Sequence, residues 1–200
     1  TFSISAELTE AISKACRAVP CTPFVALLGM FSTVLGRMSE QEDVLMGTLF
    51  SGRDDDTWAE TMGYFSRTAP IRCRTGAGSF KDILSELQAL VPHVMKHQAL
   101  PYRDMVAESS GSVRSPGVDP LLDAVFVLED GRGLSAQDAV SLETASLSGD
   151  VASTAKYPIA MALMPTPDGM RGSVNYMTDL FARATIRRVI ERFVTVLEQF

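Results

Sequence analysis

Histidine and cysteine are scarce in this chain, and their scarcity removes several chemistries at once. The 200 residues hold two histidines and three cysteines. Cys16, Cys21 and Cys73 are odd in number and form no Cys-x-x-Cys pair, so they suggest neither a disulfide framework nor a zinc site. They read as reduced thiols in a cytoplasmic protein. His93 and His97 stand four apart, and a metal bound there would need a third ligand such as Asp104, which nothing in the residue order supports. No metal site is expected. A Gly-x-Ser-x-Gly turn is missing, so nucleophilic catalysis by a serine with a held base has no framework. Gly76-Ala77-Gly78 lacks the Lys and Thr of a phosphate-cradling loop and reads as a turn. Apolar runs fall short of the roughly 18 residues a spanning helix needs, and no basic segment precedes an apolar one at the N-terminus. Neither membrane insertion nor secretion is expected. Basic excess is also lacking: 18 Lys and Arg are scattered among 24 Asp and Glu, for a net charge of -6, which argues against nucleic acid as a partner. A local basic patch would still suit an acidic protein partner. The run Asp54-Asp55-Asp56 is a solvated cluster or a helix-start signal before it is a cation site.

What is present is a 46% hydrophobic chain, enough for one packed domain or one lobe of a larger one, with no internal repeat and no dividing linker. The element order is α/β. Residues 5–19 carry Leu8, Ile12, Ala15 and Val19 at helical spacing, with Glu7 and Glu10 in the first turn, and Pro20 ends the helix. Thr22 as cap and Pro23 at the first position start a second helix, whose body over 24–35 is apolar nearly all round and so buried. A strand is expected over 44–50. A third helix spans 80–95, with Ser79 and Asp82 near its start and Pro92 bending or ending its regular part. One or two further turns follow at 102–107, and 109–120 is a surface connection. Four strands are expected at 124–128, 140–147, 158–164 and 172–177, with loops at 130–138 and 148–155. An amphipathic helix over 185–200 closes the chain, and Tyr176 and Phe181 read as core aromatics.

Two stretches carry the functional signal. In the first, Gly63 precedes Tyr64 and Phe65, and the residues alternate as Phe65, Arg67, Ala69, Ile71 against Tyr64, Ser66, Thr68. That is strand-like, and Pro70 points to an edge or a bulge. As a plain edge strand, it would use Phe65 to fill the core. In the second, His97 and Gln98 stand at a helix end, where side chains bond free carbonyls.

Taken in order, these stretches resemble signature motifs of nonribosomal peptide synthetase condensation domains. One family motif runs Gly, any residue, Phe, Val, Asn, Thr, three residues, Arg; Gly63, Phe65, Thr68 and Arg72 match it, while Ser66 and Arg67 depart. Another runs His or Asn, Gln, Asp, aliphatic, Pro, Phe, Glu; His97, Gln98, Leu100 and Pro101 match, Tyr102 is a close substitute, and Ala99 and Arg103 depart. Asp119-Pro120-Leu121 stands for a further motif, and 176–186 resembles the closing strand and helix start of the C-terminal lobe; the opening, a helix, then Thr22-Pro23-Phe24 and an apolar helix to Gly36-Arg37, then Gln41-Glu42-Asp43-Val44 through Gly47-Thr48 to Gly52-Arg53, is similar to that lobe's start.

The resemblance implies a chloramphenicol acetyltransferase-like lobe, α/β in two layers, with a mixed β-sheet packed with helices. Residues 1–200 are then a single C-terminal lobe whose N-terminal lobe is absent. In the family two lobes form a tunnel, and carrier-bound acyl or peptidyl and aminoacyl thioesters meet there on phosphopantetheine arms to form an amide. No cofactor is expected to be bound otherwise. The family's His-His-x-x-x-Asp-Gly motif is missing, since the chain has no adjacent histidine pair, so no catalytic residue is assigned. The substrate-binding residues implied are Gly63, Tyr64, Phe65, Arg67, Thr68, Arg72, His97 and Gln98. Partners implied are the N-terminal lobe, peptidyl and aminoacyl carrier proteins, and an adjacent adenylation domain or tailoring enzyme. Two alternatives stand beside condensation: a non-catalytic relative that recruits a tailoring enzyme, and a stand-alone acyltransferase.

Overall fold

The computed structural model describes residues 1–53, 56–58, 61–76, 78–109, 121–129 and 155–200. The second expected strand of the C-terminal half, 140–147, lies outside the described residues, as do Asp54, Asp55, Ala77, Asp119 and Pro120 and the loop at 130–138.

Helix α1 (Ala6–Ala18) begins where Ser5 accepts a hydrogen bond from the Leu8 N–H at 3.2 Å. Ahead of it lies an element that local pattern does not reveal, strand β1 (Phe2–Ser5), which pairs antiparallel with residues 169–172. Four residues with only Ile4 buried give too short a pattern to declare a strand; the distant partner makes it one. Helix α2 (Pro23–Ser39) starts as its sequence demands, with Thr22 accepting from the Val25 N–H and Pro23 in the first turn. It is the buried centre of the molecule. Strand β2 (Asp43–Phe50), a short 3-10 turn (Asp56–Trp58) and strand β3 (Arg67–Arg74) follow. Next come α3 (Phe80–Lys96), α4 (Tyr102–Glu108), β4 (Ala124–Leu128), β5 (Ile159–Thr166), β6 (Gly169–Tyr176) and α5 (Arg183–Gln199).

Pro92 does not end α3. The helix runs four residues past it, because the proline removes one backbone hydrogen bond while Val91 and Val94 keep the last turns packed on the core. The helix start is a capping box: Ser79 Oγ accepts from the Asp82 N–H, and the Asp82 carboxylate accepts from the Ser79 N–H at 2.8 Å. Ser79→Ala should lower stability by about 1 kcal/mol in equilibrium denaturation. The Ser79 backbone and hydroxyl hold the Asp82 carboxyl below the usual carboxylate range. A lowered folded-state value means that its contribution is present at neutral pH, so the gap between wild type and Ser79→Ala should narrow as the pH falls through that value.

The six strands form one mixed sheet in the order β1-β6-β5-β4-β2-β3. Pairs β4–β5 and β2–β4 are parallel, the others antiparallel. On one face, Met46, Ile71, Cys73, Phe126 and Met161 bury against Phe31 and Leu28 of α2, Leu84 and Leu87 of α3 and Phe193 of α5. The rings of Phe24, Phe126, Phe31, Phe193 and Phe2 run through this layer in successive contacts of 5.9–6.3 Å. On the other face a small cluster of Leu122, Val125 and Tyr157 packs with Leu45, Val127 and Tyr102. Tyr176 and Phe181 are only partly buried at the margin of the main core. Among the described residues, no single helix is long and apolar enough to cross a membrane.

Candidate functional site

Strand β3 is the edge of the sheet, and Pro70 sits in it opposite Gly47. A proline is tolerated there because an edge strand has one side free of ladder hydrogen bonds. Alternation along the strand is as the sequence indicated: Ala69, Ile71 and Cys73 bury under the helices, while Thr68, Pro70 and Arg72 lie on the opposite face. The strand begins only at Arg67, so Gly63, Tyr64, Phe65 and Ser66 belong to the segment before it. This corrects the plain-strand reading of Phe65. Its ring does not enter the core; it stacks against Trp58 at 6.0 Å and lies under the Arg53 guanidinium, 4.4 Å from ring centroid to charge.

The end of the sheet where β2 stops and β3 starts gathers most of the residues singled out. The last turns of α3 and the turn to α4 wrap the free edge of β3, leaving a cavity of ≈ 270 Å³ lined by Ala69, Pro70, His93, Val94, His97, Leu100 and Met105. Its lining is apolar apart from the two imidazoles. His97 is the residue that caps α3, its N–H donating to the His93 carbonyl at 3.2 Å, and its side chain is exposed; Gln98 beside it is half-buried. Before β3, Met62 is 98% and Tyr64 82% exposed, so two large apolar side chains stand out from the same end of the sheet. Gly63 between them faces the Phe65 ring, which a Cβ there would meet at 3.0 Å.

Arg72 lies apart from this group. It sits lower on β3, where Nε donates to both oxygens of Asp43 at 2.8 and 3.0 Å across the strand pair. The Arg72 guanidinium holds the Asp43 carboxyl below the usual range. Both side chains are about half exposed, so the pair adds little stability, and what it adds is lost as the pH falls through Asp43's folded-state value. Arg67 opens β3 half-buried, on the parity of Ala69, and Thr68 follows it on the opposite face.

Arg53, part of the Gly52-Arg53 stretch but assigned no role from the sequence, joins the site. Its Nη1 donates to the carbonyls of Trp58 and of Thr61, the latter at 2.9 Å, while its face covers Phe65. The signal available was its neighbour: Gly52 adopts φ +67°, and a Cβ there would stand 1.9 Å from the Phe65 carbonyl oxygen. Only glycine allows the two strands of this segment to approach so closely.

Burial pushes the Cys73 and Cys16 thiols up to about 12, and Cys21 is raised by the same cause, so all three stay protonated at neutral pH. Among the described residues, no three His, Cys, Asp or Glu side chains converge as metal ligands. Asp104 pairs with the adjacent Arg103 at 3.2 Å.

The arrangement matches known proteins along nearly its whole length. The chain is 31% identical over 192 residues to phosphinothricin tripeptide synthetase PhsC of Streptomyces viridochromogenes, covering 96% of this chain and 18% of that protein. Among solved structures, a four-domain nonribosomal peptide synthetase bound to AMP and glycine superposes with a TM-score of 0.84 at 19% identity, over 99% of this chain and 16% of the other. The X-domain from teicoplanin biosynthesis superposes with a TM-score of 0.83 at 20% identity, over 98% of this chain and 45% of that one. The chain thus spans a small part of the two synthetases and less than half of the X-domain. The family model described as the condensation domain matches residues 1–200, and with the fold and the motif residues now in place, this chain belongs to the condensation domain family.

Proposed function

We propose that this chain is the C-terminal lobe of a nonribosomal peptide synthetase condensation domain, working with an N-terminal lobe on carrier-bound substrates. The family match over residues 1–200 carries the reading, and the apolar cavity that His97 shares with Ala69 and Pro70 of β3, directly after the motif residues 63–68, supports it. In the reaction, the amine nitrogen of one aminoacyl thioester bonds to the carbonyl carbon of the other thioester. The C–S bond breaks, and the sulfur leaves on its phosphopantetheine arm as the thiol while the amine gives up a proton. A base within hydrogen-bond reach of that amine is required. The family's histidine pair would supply it from the other lobe, so this lobe contributes tunnel surface: Gly63, Tyr64, Phe65, Arg67, Thr68, His97 and Gln98 beside the substrate arms, with Arg72 bracing β3.

The purified chain, given acyl- and aminoacyl-loaded carrier proteins, is therefore expected to form no amide by mass spectrometry, whereas the complete domain forms it. Turnover by the chain alone, abolished by His97→Ala, would overturn the division of labour.

A second reading has its own support. The X-domain likeness is as good as that to the four-domain synthetase, and another solved structure pairs the X-domain with OxyB. Arg67, Ala99 and Arg103 depart from the motifs of condensing members. In that reading the domain recruits a tailoring enzyme rather than joining substrates. Arg67→Ala in the complete protein separates the two: a working tunnel loses condensation because a long cation at the start of β3 meets a substrate arm, whereas recruitment leaves partner affinity unchanged.

A further inference from the structure

We infer that Arg53 is a positioning residue for the condensation reaction: one guanidinium fastens residues 58, 61 and 65 together and thereby sets where Tyr64 and Met62 stand. The inference rests on the functional reading above. Three contacts converge on the one side chain. Nη1 donates to the carbonyl oxygens of Trp58 and Thr61, and the plane lies over the Phe65 ring at 4.4 Å. The Thr61 N–H also donates to the Trp58 carbonyl at 3.2 Å, a second tie between the two residues. Phe65 also meets the Trp58 ring, 6.0 Å away and tilted by 40°. The backbone of Gly52, next to Arg53, touches the Phe65 carbonyl closely enough to exclude any side chain.

The geometry is specific to arginine. A planar fork bonds two carbonyls with its edge while its face stacks on an aromatic ring; an ammonium group offers neither the plane nor the spread of donors. The consequence lies one residue away. Without such a fastening, a segment carrying Met62, Tyr64, Phe65 and Trp58 would fold its apolar groups onto the nearest apolar surface. Here Phe65 is half-buried in its contacts with Arg53 and Trp58, and Met62 and Tyr64 stand exposed just before β3. The role assigned to Arg53 is positioning, since its contacts are to the segment itself. It acts through the segment, whose placement relative to a carrier-bound thioester matters at the ångström scale.

Trp58 is the chain's one tryptophan, so its fluorescence reports the fastening directly. The test uses Arg53→Lys, which keeps the charge, and Phe65→Leu, which keeps the guanidinium but removes the ring. In this chain both variants should shift Trp58 emission to the red and raise its quenching by acrylamide, with far-UV circular dichroism unchanged. In the complete protein both should slow single-turnover condensation by at least about tenfold, with carrier KM changed by less than about threefold, as expected for lost positioning rather than lost binding. Unchanged Trp58 emission and quenching in both variants would refute the fastening. A changed Trp58 signal with undiminished condensation would refute the positioning role while leaving the family reading intact. A complete wild-type protein that forms no amide would instead remove the functional reading, and the positioning role with it.

Discussion

Phe31→Ala is expected to destabilise the fold by about 3–5 kcal/mol, the usual cost of emptying a fully buried aromatic site. Phe31 is 0% exposed in the middle of α2, and its ring touches Phe126 of β4 and Phe193 of α5, each at 6.0 Å. It is therefore the link between sheet, central helix and C-terminal helix. Deleting it leaves a cavity that two neighbouring rings from different elements cannot close together, so little of the loss is recovered by relaxation. Single domains typically have only about 5–15 kcal/mol of stability in total, so a large fraction of it should vanish. Urea unfolding followed by circular dichroism measures the loss. Phe24→Ala, at the partly buried end of the same row, should cost clearly less. A loss below about 1 kcal/mol for Phe31→Ala would mean that the ring layer repacks freely, contrary to its close packing.

Gly52→Ala should have the largest effect on activity in the complete protein, about a hundredfold in condensation, with the core intact. Two costs meet at this position. An L-residue at φ +67° is in the left-handed region, and the new methyl would stand 1.9 Å from the Phe65 carbonyl oxygen, a distance no real contact shows. The neighbour is backbone rather than a flexible side-chain tip, so the segment before β3 has to shift by an ångström or more. Phe65, Tyr64 and the Arg53 contacts shift with it. Condensation kinetics on the complete protein, together with a thermal melt, check the outcome: a fall in activity with a nearly unchanged midpoint is expected. Full activity in Gly52→Ala would show that the approach of Gly52 to Phe65 does not position the reaction.

Much of the architecture was legible because local physics dictated it. Thr22-Pro23 could only begin a helix, Ser79 and Asp82 three apart capped another, and the apolar body of α2 had to be buried. Pro70 marked β3 as an edge or a bulge, and the strand order makes it the edge. Motif order singled out residues 63–72 and His97-Gln98, of which the structure brings His97 to the edge of β3 and ties Arg72 to Asp43. The elements that local pattern misses or cuts short owe their form to tertiary contacts. β1 exists because β6 pairs with it, and α3 continues past Pro92 because the core holds its last turns.

The sequence by itself determined the helices with their caps, the alternation of β3 and the likeness to the condensation family, since each depends on residue types a few positions apart. Tertiary structure alone decided that Phe65 stacks under Arg53 rather than entering the core, that Arg72 is tied to Asp43 away from the other motif residues, and that β3 and the α3–α4 turn enclose one cavity. Those facts depend on which distant segments come together, and a carbonyl at Thr61 or a ring at Phe65 is invisible to Arg53 until the chain has folded.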